Sequence, residues 1–440
     1  MSESIAYRSR AAWGTTAMLT CFMLLNFLDK IALGMVAVPL MAEFHLSPSA
    51  FGLIAGSFYW LFSISTVLVG FVANRMPGRV LLLAMSVSWA VLQLPIALAG
   101  GAAAILVCRV LLGAAEGPAF PVAVHSLYKW FPDSKRSLPV AVIAQGAGAG
   151  LLLAGLVIPF VTQHWGWRVN FVILGAAGAL WSVLWLCCGR EGPIGEANPT
   201  GLAGAQDAGH VAPAGTAAPA RMSYRRMLLA PSVLAVFLIT FSGFWTLGLT
   251  ITWLPAYLQN ALGFSPGSAG RWFAFVIVVG MPATIGLSVL SQRLVRHGAS
   301  GGHGRVQLVS VCLLAAGALF AALAFVPLTP VQKVLIFAVA AALPPIAIAL
   351  APAILTEMVP ERQRASMIAI LTAAGNLAGA IAPAVVGRFV QTRGIHDVTG
   401  YEMGFAMGAV LLALAALVAL RWLNPERTRE ALLRATVTVG

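Results

Sequence analysis

Twelve long apolar stretches run along the chain, near residues 15–41, 51–73, 80–99, 102–127, 138–162, 169–189, 232–259, 270–291, 306–326, 332–357, 365–390 and 402–422, separated by charged, Gly or Pro clusters. Each reaches the roughly 20 residues that a helix needs to cross a hydrocarbon core of about 30 Å. Helices are required because lipid offers no partner to an open backbone N–H or C=O. The pattern predicts an all-α integral membrane protein with twelve transmembrane helices. The first stretch is too long for a signal-peptide core and contains Asp29 and Lys30, so it reads as an uncleaved span.

One long polar interruption, residues 191–220, is rich in Gly, Ala and Pro and reads as a flexible linker. It divides the chain into an N-terminal six-helix bundle (1–190), a cytoplasmic linker (191–228), a C-terminal six-helix bundle (229–425) and a cytoplasmic tail (426–440). Two short patterns recur across the halves. Asn74-Arg75 follows the second stretch and Gln292-Arg293 the eighth. Pro132-Asp-Ser-Lys-Arg136 follows the fourth, and Pro360-Glu-Arg-Gln-Arg364 follows the tenth with the same Pro-to-Arg spacing. Two pseudo-symmetric six-helix bundles are the expectation, an arrangement transporters use for alternating access around a midplane site.

Composition excludes the soluble classes. Of 440 residues, 60% are hydrophobic and 9% charged, against roughly 45–50% and about 25% in soluble domains. The net charge of +13 would suit nucleic acid, but its distribution does not. Twenty of the 27 Lys and Arg fall on one side of the twelve spans and five on the other. By the positive-inside bias both termini are cytoplasmic, and the basic charge meets anionic lipid, not nucleic acid. The expected location is the inner (plasma) membrane. The five cysteines lie inside apolar runs without metal-ligand spacing, so they read as packing residues. No HExxH, GxSxG or Walker loop is present. The reading is therefore not an enzyme, with no metal and no cofactor, protons serving as the coupling ion.

The last two cations, Lys30 and Arg109, lie inside the membrane with two acids, Asp29 and Glu116. A charge at the bilayer centre costs at least about 2.5–3.5 kcal/mol on insertion scales, so leucine would stabilise a bundle better. The four sum to zero when ionised. Arg109 and Glu116 are seven apart, two helical turns on one face, which suits two stations lining one cavity. One reading is a pair of buried ion pairs that fix helix packing. The functional reading is proton and anion handling: a desolvated carboxylate gains proton affinity and a neighbouring cation removes it. An anion that takes the cation therefore favours protonation of the acid. That mutual dependence is what coupling requires.

The C-terminal half has no mid-membrane charge, and its candidate cavity groups are Thr240, Trp245, Thr246, Thr252 and Asn376, a wall suited to hydroxyl recognition. Ser and Thr in apolar helices usually satisfy their own backbone. Asn376 and Gln145 rank higher because an unpaired amide in a span is costly, and Tyr59 is added as a substrate-side candidate. Gly146-Ala-Gly148-Ala-Gly150 and Gly375-x-x-x-Gly379 read as close helix contacts, not phosphate loops.

Taken in order, these segments resemble the anion:cation symporter family of the major facilitator superfamily, which includes galactonate, glucarate, tartrate, hexuronate and phthalate permeases. Asn26-Phe-Leu-Asp29-Lys30 resembles the family's Asn-Tyr-x-Asp-Arg. Arg109-Val-Leu-Leu-Gly113-Ala-Ala-Glu116-Gly-Pro118, with Trp130-Phe-Pro132 and Lys135-Arg136, resembles its fourth helix and following loop. Gly166-Trp-Arg168 with Phe171 resembles the start of helix six, and Pro360-x-Arg362-x-Arg364 with Gly375-Asn376-Leu-Ala-Gly379 and Pro383 resembles helices ten and eleven. The resemblance implies that Asp29 and Glu116 take protons, that Arg109 helps couple them to substrate, that Lys30 faces the substrate, and that Gln145 and Asn376 bind sugar-acid hydroxyls. It further implies a conformational latch at Asn74, Arg75, Arg79, Arg136, Gln292, Arg293 and Arg364.

Three positions depart from the family. Lys30 replaces an arginine and loses its bidentate fork. Asn74 and Gln292 stand where Asp is usual, which weakens both latches and leaves the outward-open state less firmly held. The implied function is proton-coupled import of a small organic anion, a sugar acid or related carboxylate, by a monomer. An anion exchanger or a proton-antiport efflux transporter of the same fold is the alternative, and a membrane receptor or scaffold would need an extramembrane domain that the chain lacks.

Overall fold

The computed structural model describes residues 9–72, 75–132, 135–194, 222–296 and 301–437. Among these, twelve helices are long and apolar enough to cross a membrane. They are span 1 (Arg10–Met35), span 2 (Pro48–Gly70), span 3 (Gly78–Ala97), span 4 (Ala102–Tyr128), span 5 (Ser137–Trp165), span 6 (Trp167–Cys188), span 7 (Pro231–Thr252), span 8 (Pro266–Leu294), span 9 (Gly304–Phe325), span 10 (Pro330–Met358), span 11 (Arg364–Arg393) and span 12 (Val398–Trp422). Large apolar side chains such as Leu68, Leu180, Val311 and Val410 stand on their outer faces, as they do where lipid is the solvent. The linker expected over 191–228 lies largely outside the described residues.

Prolines account for most departures from the expected lengths, since each removes an N–H and clashes with the carbonyl four residues back. Span 1 stops at Met35, four before Pro39, and a short helix, Ala37–Glu43, follows. Span 4 is interrupted at Gly117-Pro118, so Glu116 is the last residue of its first helical piece, Ala102–Glu116. Span 10 is interrupted before Pro345. Span 7 ends at Thr252, and Leu254–Ala256 and a π-turn, Tyr257–Ala261, continue from it.

The described residues fall into two compact units. The first takes the described residues within Met1–Asp207 and Leu254–Ala274, the second those within Ala208–Trp253 and Phe275–Gly440. In the first, span 1 packs on span 5, span 3 on span 6 and span 2 on span 4; in the second, span 7 packs on span 11 and span 9 on span 12. The pairings 1·5 and 3·6 thus recur as 7·11 and 9·12. Small residues set the closest approaches. A Cβ on Gly146 would fall 2.4 Å from the Thr20 carbonyl oxygen, and one on Gly150 2.3 Å from that of Leu24. The start of span 8 groups with the first unit because Gly270 meets span 5 backbone to backbone: a Cβ there would lie 2.1 Å from the Gly155 oxygen.

Candidate functional site

Span 1 carries Asn26, Asp29 and Lys30 at i, i+3 and i+4, which places all three on one helical face. Span 4 brings Arg109 and Glu116 to that face because Gly113 and Gly117 let it lie directly on span 2. A Cβ on Gly113 would fall 1.7 Å from the Phe58 carbonyl oxygen, and one on Gly117 2.2 Å from that of Phe62. The result is a cluster within the first unit. Asp29 and Arg109 are 3% exposed and Glu116 and Asn26 1%, while Lys30 and Tyr59 are half-buried.

The Asn26 amide Nδ2 donates to Glu116 Oε2 at 3.0 Å. Arg109 Nη2 donates to the Lys30 carbonyl at 3.5 Å. Both cations lie over aromatic faces: Lys30 Nζ stands 4.3 Å from the Phe27 ring centre and 4.9 Å from that of Phe62, and Arg109 Cζ 4.5 Å from that of Phe58. Asp29 interacts with Glu116, Arg109, Gln93 and Lys30, and Tyr59 with Arg109 and Glu116. Bonds are nevertheless left open. Both Asp29 oxygens, Glu116 Oε1, and Arg109 Nε and Nη1 have no hydrogen-bond partner. A buried guanidinium with open donors is matched to a carboxylate or sulfonate, whose oxygens accept such a fork.

The four charged residues expected from the sequence are therefore together. Asn26 and Gln93 join them, and neither is among the site residues expected from the sequence. The same cost of a mid-span amide that flags Gln145 and Asn376 applies to both. Gln145 itself lies on an exposed face of span 5.

The C-terminal candidates lie in the second unit. Thr240 and Thr246 are buried and donate to the helix carbonyls of Val236 and Ser242 at 2.8 and 3.1 Å, the self-satisfied behaviour of hydroxyls in apolar helices. Trp245 is buried with its Nε1 unpartnered. Asn376 and Thr252 are buried too. Gly375, beside Asn376, faces span 7: a Cβ there would meet Thr240 Cγ2 at 3.0 Å.

Of the latch residues, Asn74 lies outside the described residues, and Arg75, Gln292 and Arg293 are exposed. Arg136 donates to the Phe131 and Tyr128 carbonyls at 3.0 and 3.1 Å. Arg364 donates to the Thr356 carbonyl at 3.1 Å and pairs with Glu361. Each reaches back eight residues, so the repeated Pro-to-Arg spacing has one structural use, closing the turn that ends spans 4 and 10. Glu191, at the edge of the expected linker, gathers this end of the first unit by accepting from the Arg79 N–H and the Lys129 ammonium, both at 3.4 Å. Arg79 also donates to the Leu186 carbonyl at 2.8 Å.

The family model described as Major Facilitator Superfamily matches residues 19–342 and 300–438. A probable sulfoacetate transporter of Cupriavidus necator is 24% identical over 412 residues, covering 91% of each chain. A hexuronate transporter of Bacillus subtilis is 24% identical over 406 residues, covering 91% of this chain and 92% of its own. Among solved structures, a bacterial homologue of the human lysosomal transporter Spinster, inward-facing and unoccupied, superposes with a TM-score of 0.75 at 19% identity, covering 96% of this chain and 98% of that one.

Proposed function

Because this chain belongs to the Major Facilitator Superfamily, whose members are membrane transporters and not enzymes, we propose that it is a secondary transporter that imports a small organic anion together with protons. The substrate class is a sugar acid or a related carboxylate or sulfonate, and hexuronate and sulfoacetate are what two relatives of matching length are named for. The protein works as a monomer in the inner (plasma) membrane with both termini cytoplasmic, in keeping with the Lys and Arg bias.

The observation that carries this reading is the cluster of buried Asp29, Arg109 and Glu116 with half-buried Lys30, in which Arg109 keeps two donors without an acceptor. An incoming anion takes Lys30 and Arg109 as its counterions. Asp29 and Glu116 then lose the cations that favoured their ionised forms and bind protons. The reverse holds equally: protonation removes the negative charge that competes with the anion, so each ligand raises the affinity for the other. Each net positive charge carried inward, protons less the anion's own charge, releases about 2.3 kcal/mol per 100 mV of membrane potential, and an inward pH gradient adds to it. That release drives accumulation, and rocking of two six-helix halves carries the loaded site across.

The test is uptake into proteoliposomes across a panel of carboxylates and sulfonates, with an imposed inward proton gradient. Gradient-dependent accumulation of one of them is expected. Uptake that occurs only in exchange for internal anion, at any gradient, would replace coupling by antiport.

A further inference from the structure

Span 3 contributes one polar side chain that the ion-handling account above does not use. Gln93 is 1% exposed, and neither its Nε2 nor its Oε1 has a hydrogen-bond partner. A buried amide left unmade costs about 1–3 kcal/mol, so an apolar residue would serve packing better. The group it faces is the Asp29 carboxylate, with which it interacts and whose two oxygens are likewise unpartnered.

Packing holds the two in register. Trp89, one turn before Gln93 on the same face, packs tilted against Phe22 of span 1 with ring centres 4.5 Å apart, and Phe22 lies two turns before Asp29. Behind Gln93, Gly175 of span 6 admits its stem: a Cβ there would meet Gln93 Cβ at 3.3 Å.

We propose that Gln93 is a positioning residue for Asp29, its amide serving the carboxyl group in both protonation states. Nε2 donates to the ionised carboxylate, and Oε1 accepts from the protonated acid. An amide offers both roles without carrying a charge; a cation would lock Asp29 ionised, and an ionised acid would repel it. The remaining groups that face Asp29 are Lys30 on its own helix and Arg109 and Glu116 on span 4. In the proposed mechanism these change partners when the anion binds, whereas Gln93 stays. The inference rests on that mechanism for Asp29 as a coupling acid, but the pairing itself is measurable without transport.

The experiment is an infrared pH titration of the protonated-carboxyl band of the purified full-length protein, the Asp29 component being assigned by its loss in Asp29→Asn. Gln93→Met removes both bonds, but the charge-assisted one to the carboxylate is the stronger, so the variant should move the Asp29 midpoint about one pH unit towards alkaline, a tenfold gain in proton affinity. Gln93→Asn, which keeps the amide one methylene short, should move it the same way by less. Val91→Ala, on the exposed face of the same span, is the control and should leave it in place. A folded Gln93→Met that titrates as the parent overturns the proposal. If that variant does not fold, an unshifted Gln93→Asn overturns it instead, as does a parent without an Asp29-dependent band. Failure of gradient-driven uptake in the parent would count against the transport reading alone, since the titration remains readable.

Discussion

Asn26 of span 1 donates its amide to Glu116 of span 4 at 3.0 Å, across 90 positions of chain and out of reach of water. The bond ties the helix that carries Asp29 and Lys30 to the helix that carries Arg109. It also assists the ionised form of one of the two acids proposed to bind protons.

Asn26→Leu should therefore act twice. Loss of a hydrogen bond to a charged group costs about 1.5–3 kcal/mol, read as a lower thermal midpoint in detergent. Without the donor the neutral form of Glu116 gains, so the pH dependence of uptake should move towards alkaline. A variant with the parent's midpoint and the parent's pH profile would remove Asn26 from the account.

Gly113 carries the packing of the site. A methyl group there would overlap the Phe58 carbonyl, and one on Gly117 the Phe62 carbonyl, so either helix must shift. Gly113→Ala and Gly117→Ala should each destabilise the protein by about 1–3 kcal/mol, the usual range for overpacking, and weaken substrate affinity through Arg109 over Phe58. Thermal unfolding and binding measured on the same preparation check both effects. Gly286→Ala on span 8, where an added methyl meets open space, is the control.

A third prediction concerns the far end of the first unit. Arg168 Nη1 binds both oxygens of Glu43, at 2.5 and 2.6 Å, and Trp167 Nε1 binds Oε2 at 2.6 Å. Arg168 Nη2 donates to the Ala99 carbonyl at 2.9 Å, so Arg168 joins the short helix after span 1 and the end of span 3 to the start of span 6. The Arg168 and Trp167 donors hold Glu43 below the usual glutamate range. A depressed acid stabilises above its unfolded value, about 4.3, and that contribution is lost as pH falls through the lower folded value. The thermal midpoint of the parent should fall over this acidic window, and Glu43→Gln should flatten that part of the curve. Identical curves would show that the clip carries no stability.

In the second unit, the buried Gln363 side chain pairs with both backbone groups of Met222: Met222 N–H donates to Oε1 at 3.1 Å, and Nε2 donates to the Met222 carbonyl at 2.8 Å. This fastens the chain ahead of span 7 to the turn after span 10. Gln363→Leu leaves both groups unpaired. Faster hydrogen–deuterium exchange at the Met222 amide is expected, with the exchange of span 11 unchanged.

The spans and the four charges are legible in the sequence for one reason: in lipid an apolar run must be long, and a charge within it is too costly to be incidental. Amides are cheaper and hide better. Gln93 looks like one polar residue in an apolar helix, and its meaning comes from Asp29, 64 positions away. Glu191 reads as the first residue of a linker, yet it joins Arg79 and Lys129, because hydropathy says where helices are and not which loops meet. The interruption of span 4 could have been read from Pro118 alone. Thr240 and Thr246, by contrast, follow the ordinary habit of hydroxyls in helices.

The central claim is that Glu116 is where proton and anion exchange electrostatic partners. Glu116→Gln, reconstituted in proteoliposomes, should lose accumulation driven by an inward proton gradient and retain counterflow exchange of substrate near the parent's rate. A variant that still concentrates substrate under the gradient as the parent does would contradict the account.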